Sequence, residues 1–309
     1  MNIPSPVFTV AVLALFAMPV HAKLNVVATT PDFAALASAI GGDRVTVSAI
    51  AKPTEDPHFV DARPSFIMKL AKADVLIEGG AELELGWLPP LTEGARNKNI
   101  AAGTPGRIRA SDGITMLEIP GTLDRSQGDI HAAGNPHFLV DPVNALIVAG
   151  HFASAFAGID PAGADAYQAN LRQFTERLNA KLTAWQAKLA PFQGRGVVSY
   201  HNTWPYFARR FGLKFELFLE PKPGVPPTPG HLVEVIQRMK AGGVNAILVE
   251  PFQSRQTAAK VAGETGATVV EVTQYPGGVK GTEAGYIEMI DQMVEGLAKA
   301  LTADGGGRP

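Results

Sequence analysis

The chain has 309 residues, of which 46% are hydrophobic and 18% are charged, and its formal net charge is −2. This is the composition of a globular protein long enough for two compact domains, and its balanced charge offers no basic stripe for binding nucleic acid. The absence of cysteine excludes disulfides, thiolate nucleophiles, cysteine-ligated zinc and lipidation on cysteine. Any metal site must therefore use histidine, aspartate or glutamate.

The first 22 residues have the pattern of a secretory signal peptide. The apolar run at 7–18 is too short for a stable membrane anchor, and Val20-His21-Ala22 resembles a small-x-small cleavage site. Because this segment has no Lys or Arg, a buried N-terminal helix is the alternative. We favour export without a lipid anchor. A soluble mature protein, beginning at about Lys23 and with no later membrane span, is then expected in the periplasm.

Strand and helix patterns alternate along residues 23–140. Strands are predicted at 24–29, 45–51 and 74–78, and helices at 32–40 and 64–71. This alternation predicts a parallel sheet with helices on its faces.

A long helical pattern follows, beginning at Asp160-Pro161 and ending near Pro191. Its apolar residues recur at spacings of three and four, and they are Tyr167, Leu171, Phe174, Leu178, Leu182 and Trp185. A helix of about 30 residues spans about 45 Å, which is long enough to bridge two lobes.

The alternation then resumes in the last third of the chain. Strands are predicted at 197–200, 214–219, 246–250 and 268–272, and helices at 231–240, 254–265 and 283–301. The predicted fold class is α/β, with two lobes that each contain a mainly parallel sheet flanked by helices, joined by one long bridging helix. The predicted limits are 1–22 for the signal peptide, 23–150 for the N-terminal lobe, 151–192 for the linker helix region and 193–309 for the C-terminal lobe.

Six histidines follow the predicted signal peptide, and they are His58, His131, His137, His151, His201 and His231. His58 follows the second strand, His137 precedes a helix, and His201 directly follows the strand at 197–200. Ligands of open α/β sheets bind beyond the carboxyl ends of the strands, so a cleft between the lobes could bring these three together. Three histidines with one further ligand form a common zinc site. Their spacing alone equally allows loop histidines that only hydrogen-bond locally.

Other polar residues near these positions have more than one interpretation. His131, in the loop before His137, is either an auxiliary metal contact or a solvated loop side chain. Asp141 is expected to cap the helix that follows it. Glu250 either hydrogen-bonds a ligand histidine or caps the helix that begins at Ser254.

Short motifs from residue 26 to about 301 are specific when taken together. They are Val26-Val27-Ala28-Thr29-Thr30, Gly41-Gly42-Asp43, Asp56-Pro57-His58, Ala73-Asp74, Asn135-Pro136-His137 with Asp141-Pro142, Tyr200-His201 and Glu250-Pro251. With these motifs the chain resembles the zinc/manganese solute-binding proteins of ABC importers. The resemblance implies a binding protein rather than an enzyme, with the membrane permease of an ABC importer as its partner. It also implies one metal ligand from each histidine motif, namely His58, His137 and His201.

The fourth ligand is the main departure from that family. It is often an Asp just before the last helix, but Ala284 stands there in this chain. Glu283 is our predicted fourth ligand, and another cleft carboxylate such as Asp56, or water, is the alternative. Family members that prefer manganese tend to have a carboxylate as the third ligand, so His201 favours zinc.

The sequence therefore predicts a monomeric periplasmic protein that captures Zn²⁺ as a transported ligand between two lobes. Two alternatives stay open, an importer-binding protein for Mn²⁺ or Fe²⁺ and a zinc-dependent hydrolase. The hydrolase motif His-Glu-x-x-His is absent, although a missing fourth ligand would leave the open position that a catalytic zinc needs.

Overall fold

The structure is a computed structural model that describes residues 23–122, 124, 126 and 128–303. The predicted signal peptide lies outside the described residues and stays a prediction.

The N-terminal lobe is built on a parallel sheet. Its strands are β1 (Leu24–Ala28), β2 (Val45–Ala49), β3 (Val75–Glu78) and β4 (Arg107–Arg109), in the order β2-β1-β3-β4. Its helices are α1 (Pro31–Gly41), α2 (Pro64–Ala71) and α3 (Leu88–Ala95). Successive side chains of a strand point to opposite faces, so Val26 enters the core beneath α1, whereas Val27 enters the core beneath α2 and α3. Burial on both faces explains the continuous apolar run of β1.

Two long helices follow this lobe, α4 (Pro142–Ile159) and α5 (Ala164–Leu189). By length and composition α4 could cross a membrane, contrary to the expectation that no later segment could. The helix instead has buried side chains such as Phe152 and Phe156, and it packs against α1 and α5. Its apolar character is therefore that of a core helix.

The C-terminal lobe repeats the arrangement. Its strands are β5 (Gly196–Ser199), β6 (Lys214–Phe218), β7 (Ala246–Val249) and β8 (Thr268–Glu271), all parallel, in the order β6-β5-β7-β8. Its helices are α6 (Pro205–Phe211), α7 (Pro229–Gly242), α8 (Arg255–Thr265) and α9 (Tyr286–Thr302). Val197 packs in the core that includes α9, and Val198 packs in the core beneath α7 and α8.

The helix α5 connects the two lobes. It has 26 residues, a length of about 39 Å, and it packs against α1 and α4 as well as against α9. Trp185, from the predicted apolar stripe, is buried and donates a hydrogen bond from Nε1 to Asp291 Oδ1 of α9 at 2.8 Å. The predicted fold class, with two parallel-sheet lobes and a long helix between them, is confirmed.

Several element ends also agree with the sequence. Ser254 accepts a hydrogen bond from Thr257 N at 3.2 Å and caps α8, and Gly266 ends that helix with a φ of 74°. The pattern did not predict α3 or β4, and it predicted a helix between β5 and β6 without giving bounds for α6. The predicted limit between residues 150 and 151 falls inside α4, and the last helix begins at Tyr286 rather than at residue 283. The domain limits otherwise stay a prediction.

A buried ion pair ties α4 to α6. The Asp141 side chain is fully buried, and its Oδ1 accepts from Val143 N at 3.0 Å at the start of α4. Arg210 donates from Nε to Asp141 Oδ1 at 2.7 Å and from Nη2 to Oδ2 at 3.0 Å. The predicted cap is present, and the pair also fixes the segment before α4 against the C-terminal lobe.

We expect Arg210→Ala to lower the free energy of unfolding by about 2–3 kcal/mol, because it leaves the buried carboxylate with its capping bond and with Arg209 Nη2 at 3.9 Å from Oδ2. Urea unfolding measures this change. The matched control is Arg172→Ala on the exposed side of α5, for which we expect a change within about 0.5 kcal/mol. Equal effects of the two substitutions would contradict a structural role for the pair.

Candidate metal centre

Three histidines from distant parts of the chain meet between the lobes. His58 lies in the loop after β2, His201 lies two residues after β5, and His137 precedes the short 3₁₀ turn Phe138–Val140 that leads to α4. One ring nitrogen from each lies within 4.8 Å of the other two. The ring centroids are 5.3 Å apart for His58 and His137, 5.5 Å for His58 and His201, and 5.4 Å for His137 and His201. The structure therefore brings together the three predicted histidines.

Two carboxylates orient two of the rings. His58 Nδ1 is 2.9 Å from Asp56 Oδ1, and His201 Nδ1 is 2.8 Å from Glu220 Oε2. An ionised carboxylate only accepts hydrogen bonds, so each Nδ1 carries the proton and each Nε2 keeps a free lone pair. Such outer partners are typical of metal-binding histidines, since they fix the tautomer and make the ring a better donor.

An amide performs the same task for His137. Its Nδ1 is 2.9 Å from Gln274 Oε1, and Gln274 Nε2 donates to Glu250 Oε1 at 3.1 Å. Glu250 Oε2 also accepts from Thr203 Oγ1 at 3.0 Å. Because Glu250 engages the amide nitrogen, the amide oxygen faces His137, and His137 Nδ1 donates. Of the two interpretations of Glu250, the structure shows a link to His137 through Gln274, while Ser254 caps α8 itself.

Two ring nitrogens of the set are buried without a hydrogen-bond partner, His58 Nε2 and His137 Nε2. An unpaired buried polar atom costs about 1–3 kcal/mol, so a fold that keeps two side by side has a use for them. They border a cavity of about 330 Å³ that both lobes line. A cation at this position would satisfy both nitrogens at once.

Burial and neighbouring charges set the protonation of the rings. Burial, and then the positive charge that His58 and His201 can carry, lower the pKa of His137 well below its usual range. Burial also acts to lower the pKa of His201, but the hydrogen bond and negative charge of Glu220 outweigh it and raise that pKa. Burial raises the pKa of Glu250 to about 7, against the hydrogen bond from Thr203. His137 is therefore neutral and His201 is the more basic of the two.

The structure places Glu283 away from the histidines. Its carboxylate is exposed and accepts from Gly281 N at 2.8 Å, and it borders a separate cavity beside Ala35 and Arg177. The turn before α9 lies over α1 and α5 instead of entering the cleft. Glu283 is therefore not brought to the other three predicted ligands, and Ala284 borders the same separate cavity.

Sequence reasoning missed Glu220 and Gln274 as partners of the site. Each follows a parallel strand of the C-terminal lobe, Glu220 after β6 and Gln274 after β8. The rule that selected His58 and His201 would have found both, had it been applied to every polar residue at a strand end.

The chain is similar to known metal-binding proteins. The model of a family described as ZnuA, zinc-uptake complex component A, periplasmic, matches residues 26–300. The chain belongs to this family. Among curated relatives, the iron-binding protein YfeA of Yersinia pestis is 29% identical over 287 residues, covering 90% of this chain and 86% of the relative. The manganese ABC transporter substrate-binding lipoprotein PsaA of Streptococcus pneumoniae is 24% identical, with 90% of each chain covered.

Solved structures confirm the fold. A crystal structure of ZnuA has a TM-score of 0.77 at 24% identity, covering 90% of this chain and 99% of the other. A manganese-bound periplasmic metal-binding protein from candidatus liberibacter asiaticus has a TM-score of 0.74 at 22% identity, covering 90% of this chain and 100% of the other. At this identity the likeness establishes the architecture alone.

Membership of the family defines the class of function. This family member is the extracytoplasmic metal-binding component of an ABC uptake system, which works with a metal ion and a membrane permease. Proteins of the family are substrate-binding components and not enzymes, which removes the hydrolase alternative. The relatives are named for iron, manganese and zinc, so the metal has to be argued from the site itself.

Proposed function

We propose that the chain captures Zn²⁺ with His58, His137 and His201 and delivers it to the permease of an ABC importer. The observation that carries this proposal is the pair of buried, unpaired Nε2 atoms on rings whose Nδ1 atoms are already engaged. The bound ion is cargo, held in the cleft until the permease takes it.

The donor set favours zinc over manganese. Imidazole nitrogens suit Zn²⁺, whereas Mn²⁺ prefers carboxylates and other oxygen ligands. The carboxylates beside the site hold imidazole Nδ1 atoms, Asp56 on His58 and Glu220 on His201. They support nitrogen donors in this arrangement.

The proposed ligands come from both lobes, and this arrangement allows the ion to be released when the lobes separate. His58 comes from the N-terminal lobe and His201 from the C-terminal lobe, so any separation of the lobes pulls two ligands apart. We place the mature chain, from about Lys23, in the periplasm as a monomer, where one permease contact could open the cleft. The predicted signal peptide at residues 1–22 supports this location.

We expect native mass spectrometry of the mature protein to show one tightly held Zn²⁺, because the three rings converge on one cavity. Competition titrations should give a preference for Zn²⁺ over Mn²⁺ of at least on the order of 100-fold, following the preference of nitrogen sites. Two equally tight zinc ions would contradict the single site. A preference for Mn²⁺ or Fe²⁺ would instead support the alternative cargo.

A further inference from the structure

A fourth histidine stands beside the three. His131 Nε2 is buried and has no hydrogen-bond partner, like His58 Nε2 and His137 Nε2. The His131 ring centroid lies 5.3 Å from that of His58, with 34° between the ring planes. Its nitrogen falls outside the set of three that lie within 4.8 Å of one another. His131 is therefore adjacent to the site and short of full convergence with the other three rings.

We propose that His131 is the fourth ligand, so that the ion is held by four imidazoles. The inference rests on the proposed function and adds a ligand to the same site. Zinc is commonly four-coordinate, so three histidines leave one position to fill. Glu283 lies elsewhere, and Asp56 already holds His58 through Oδ1, which accepts from Nδ1 at 2.9 Å and from N at 3.0 Å, whereas His131 Nε2 has no partner.

The loop is attached to both lobes. On the N-terminal side, Ala132 N donates to Glu82 Oε2 at 2.5 Å. On the C-terminal side, Asp129 N donates to Pro223 O at 3.0 Å, and Lys222 Nζ donates to Ser126 O at 2.5 Å. Residues 128–132 therefore cross from one lobe to the other beside the cavity, and His131 lies within this crossing.

Two glycines allow the loop to lie very close to the C-terminal lobe. Gly128 has a φ of 88°, and a Cβ there would lie 2.3 Å from Pro223 O. Gly224 has a φ of 73°, and a Cβ there would lie 2.4 Å from Asp129 Oδ2. Only glycine permits this backbone conformation and approach without strain. A glycine on each side of this contact therefore fixes the position of the loop, and with it the position of His131 beside the site.

A merely solvated histidine does not fit this geometry. Its Nε2 would point to water, whereas the Nε2 of His131 is buried next to other unpaired ring nitrogens. An ion held by the neighbouring rings and bonded to this atom as well would give it a partner, since imidazole nitrogen is a usual ligand of zinc.

The test compares the mature wild-type protein with His131→Ala. X-ray absorption of the zinc-loaded wild type should count four imidazoles, and that of His131→Ala should count three. Affinity should fall by at least about tenfold, since loss even of an outer partner of a ligand costs about 10–100-fold. The matched control, His151→Ala, removes a histidine on α4 that packs beside Gly113. It should leave both readouts unchanged.

The number of imidazoles that X-ray absorption counts in the zinc-loaded wild type is the main test of the inference. Three imidazoles in the wild type, with unchanged affinity in His131→Ala, would overturn it and leave the three-histidine site standing. A wild-type protein that binds no Zn²⁺ tightly would instead overturn the proposed function. Thermal unfolding of the metal-free variants checks that each remains folded.

Discussion

His201→Ala is expected to lower the affinity for Zn²⁺ by more than about 100-fold, because substitutions of outer partners alone cost up to about that much. His201 is the proposed ligand that comes from the C-terminal lobe. Without it the ion is held by the N-terminal lobe and the segment before α4, and binding no longer draws the lobes together. Titration of zinc against a competing chelator measures the loss.

The control for this substitution is Glu283→Ala. Because Glu283 is exposed and bonds only to Gly281 N in the described part of the chain, we expect a change of less than about twofold, within about 0.5 kcal/mol. If Glu283→Ala were as damaging as His201→Ala, Glu283 would be a ligand after all. If His201→Ala still bound zinc tightly, capture between the lobes would be refuted.

Acid is expected to weaken zinc binding through His201 first. The hydrogen bond and charge of Glu220, acting against burial, raise the pKa of His201 above its usual value of 6.5. Above that pKa the ring is neutral and ready to bind, and below it zinc must displace a proton. The affinity should therefore fall by at least about tenfold from pH 6.5 to 5.5. Burial lowers the pKa of His137, so His137 stays neutral across this window.

Glu220→Gln separates this cause from a general effect of acid. The amide oxygen can still accept from His201 Nδ1, but the negative charge is gone, so the loss of affinity should begin at a lower pH. Glu216→Gln removes an exposed charge on β6 of the same lobe and should leave the pH profile unchanged. A wild-type affinity that stays flat between pH 7 and 5 would mean that histidines do not carry the site.

The architecture was largely determined by local sequence. Continuous apolar runs such as 26–28 demand burial on both faces, and that demand makes them central strands of parallel sheets. Pro31 and Pro64 begin helices because their fixed φ suits the first turn. These preferences act over a few residues, so they can be recognised without any tertiary contact.

Shorter elements could not be recognised in the same way. The strand β4 has three residues and α6 has seven, lengths at which tertiary packing outweighs local propensity. The predicted end of the N-terminal lobe falls inside α4 for a related reason. An evenly apolar core helix shows no amphipathic boundary at which one lobe could be divided from the next.

Two of the candidate ligands, His58 and His201, could be selected from sequence because strand ends lie at one edge of a sheet. His137 was added by the resemblance to the family. The rest of the site depends on how two lobes meet. His137 and Gln274 are 137 positions apart and touch because the segment before α4 meets the segment after β8. Glu283 stands at a suitable place in the chain, yet the turn that carries it lies over α1 and α5. His131 is beside the histidines because its loop bonds to residues 82 and 223 from different lobes. Loop paths of this kind are set by packing between lobes, which no local pattern of residues encodes.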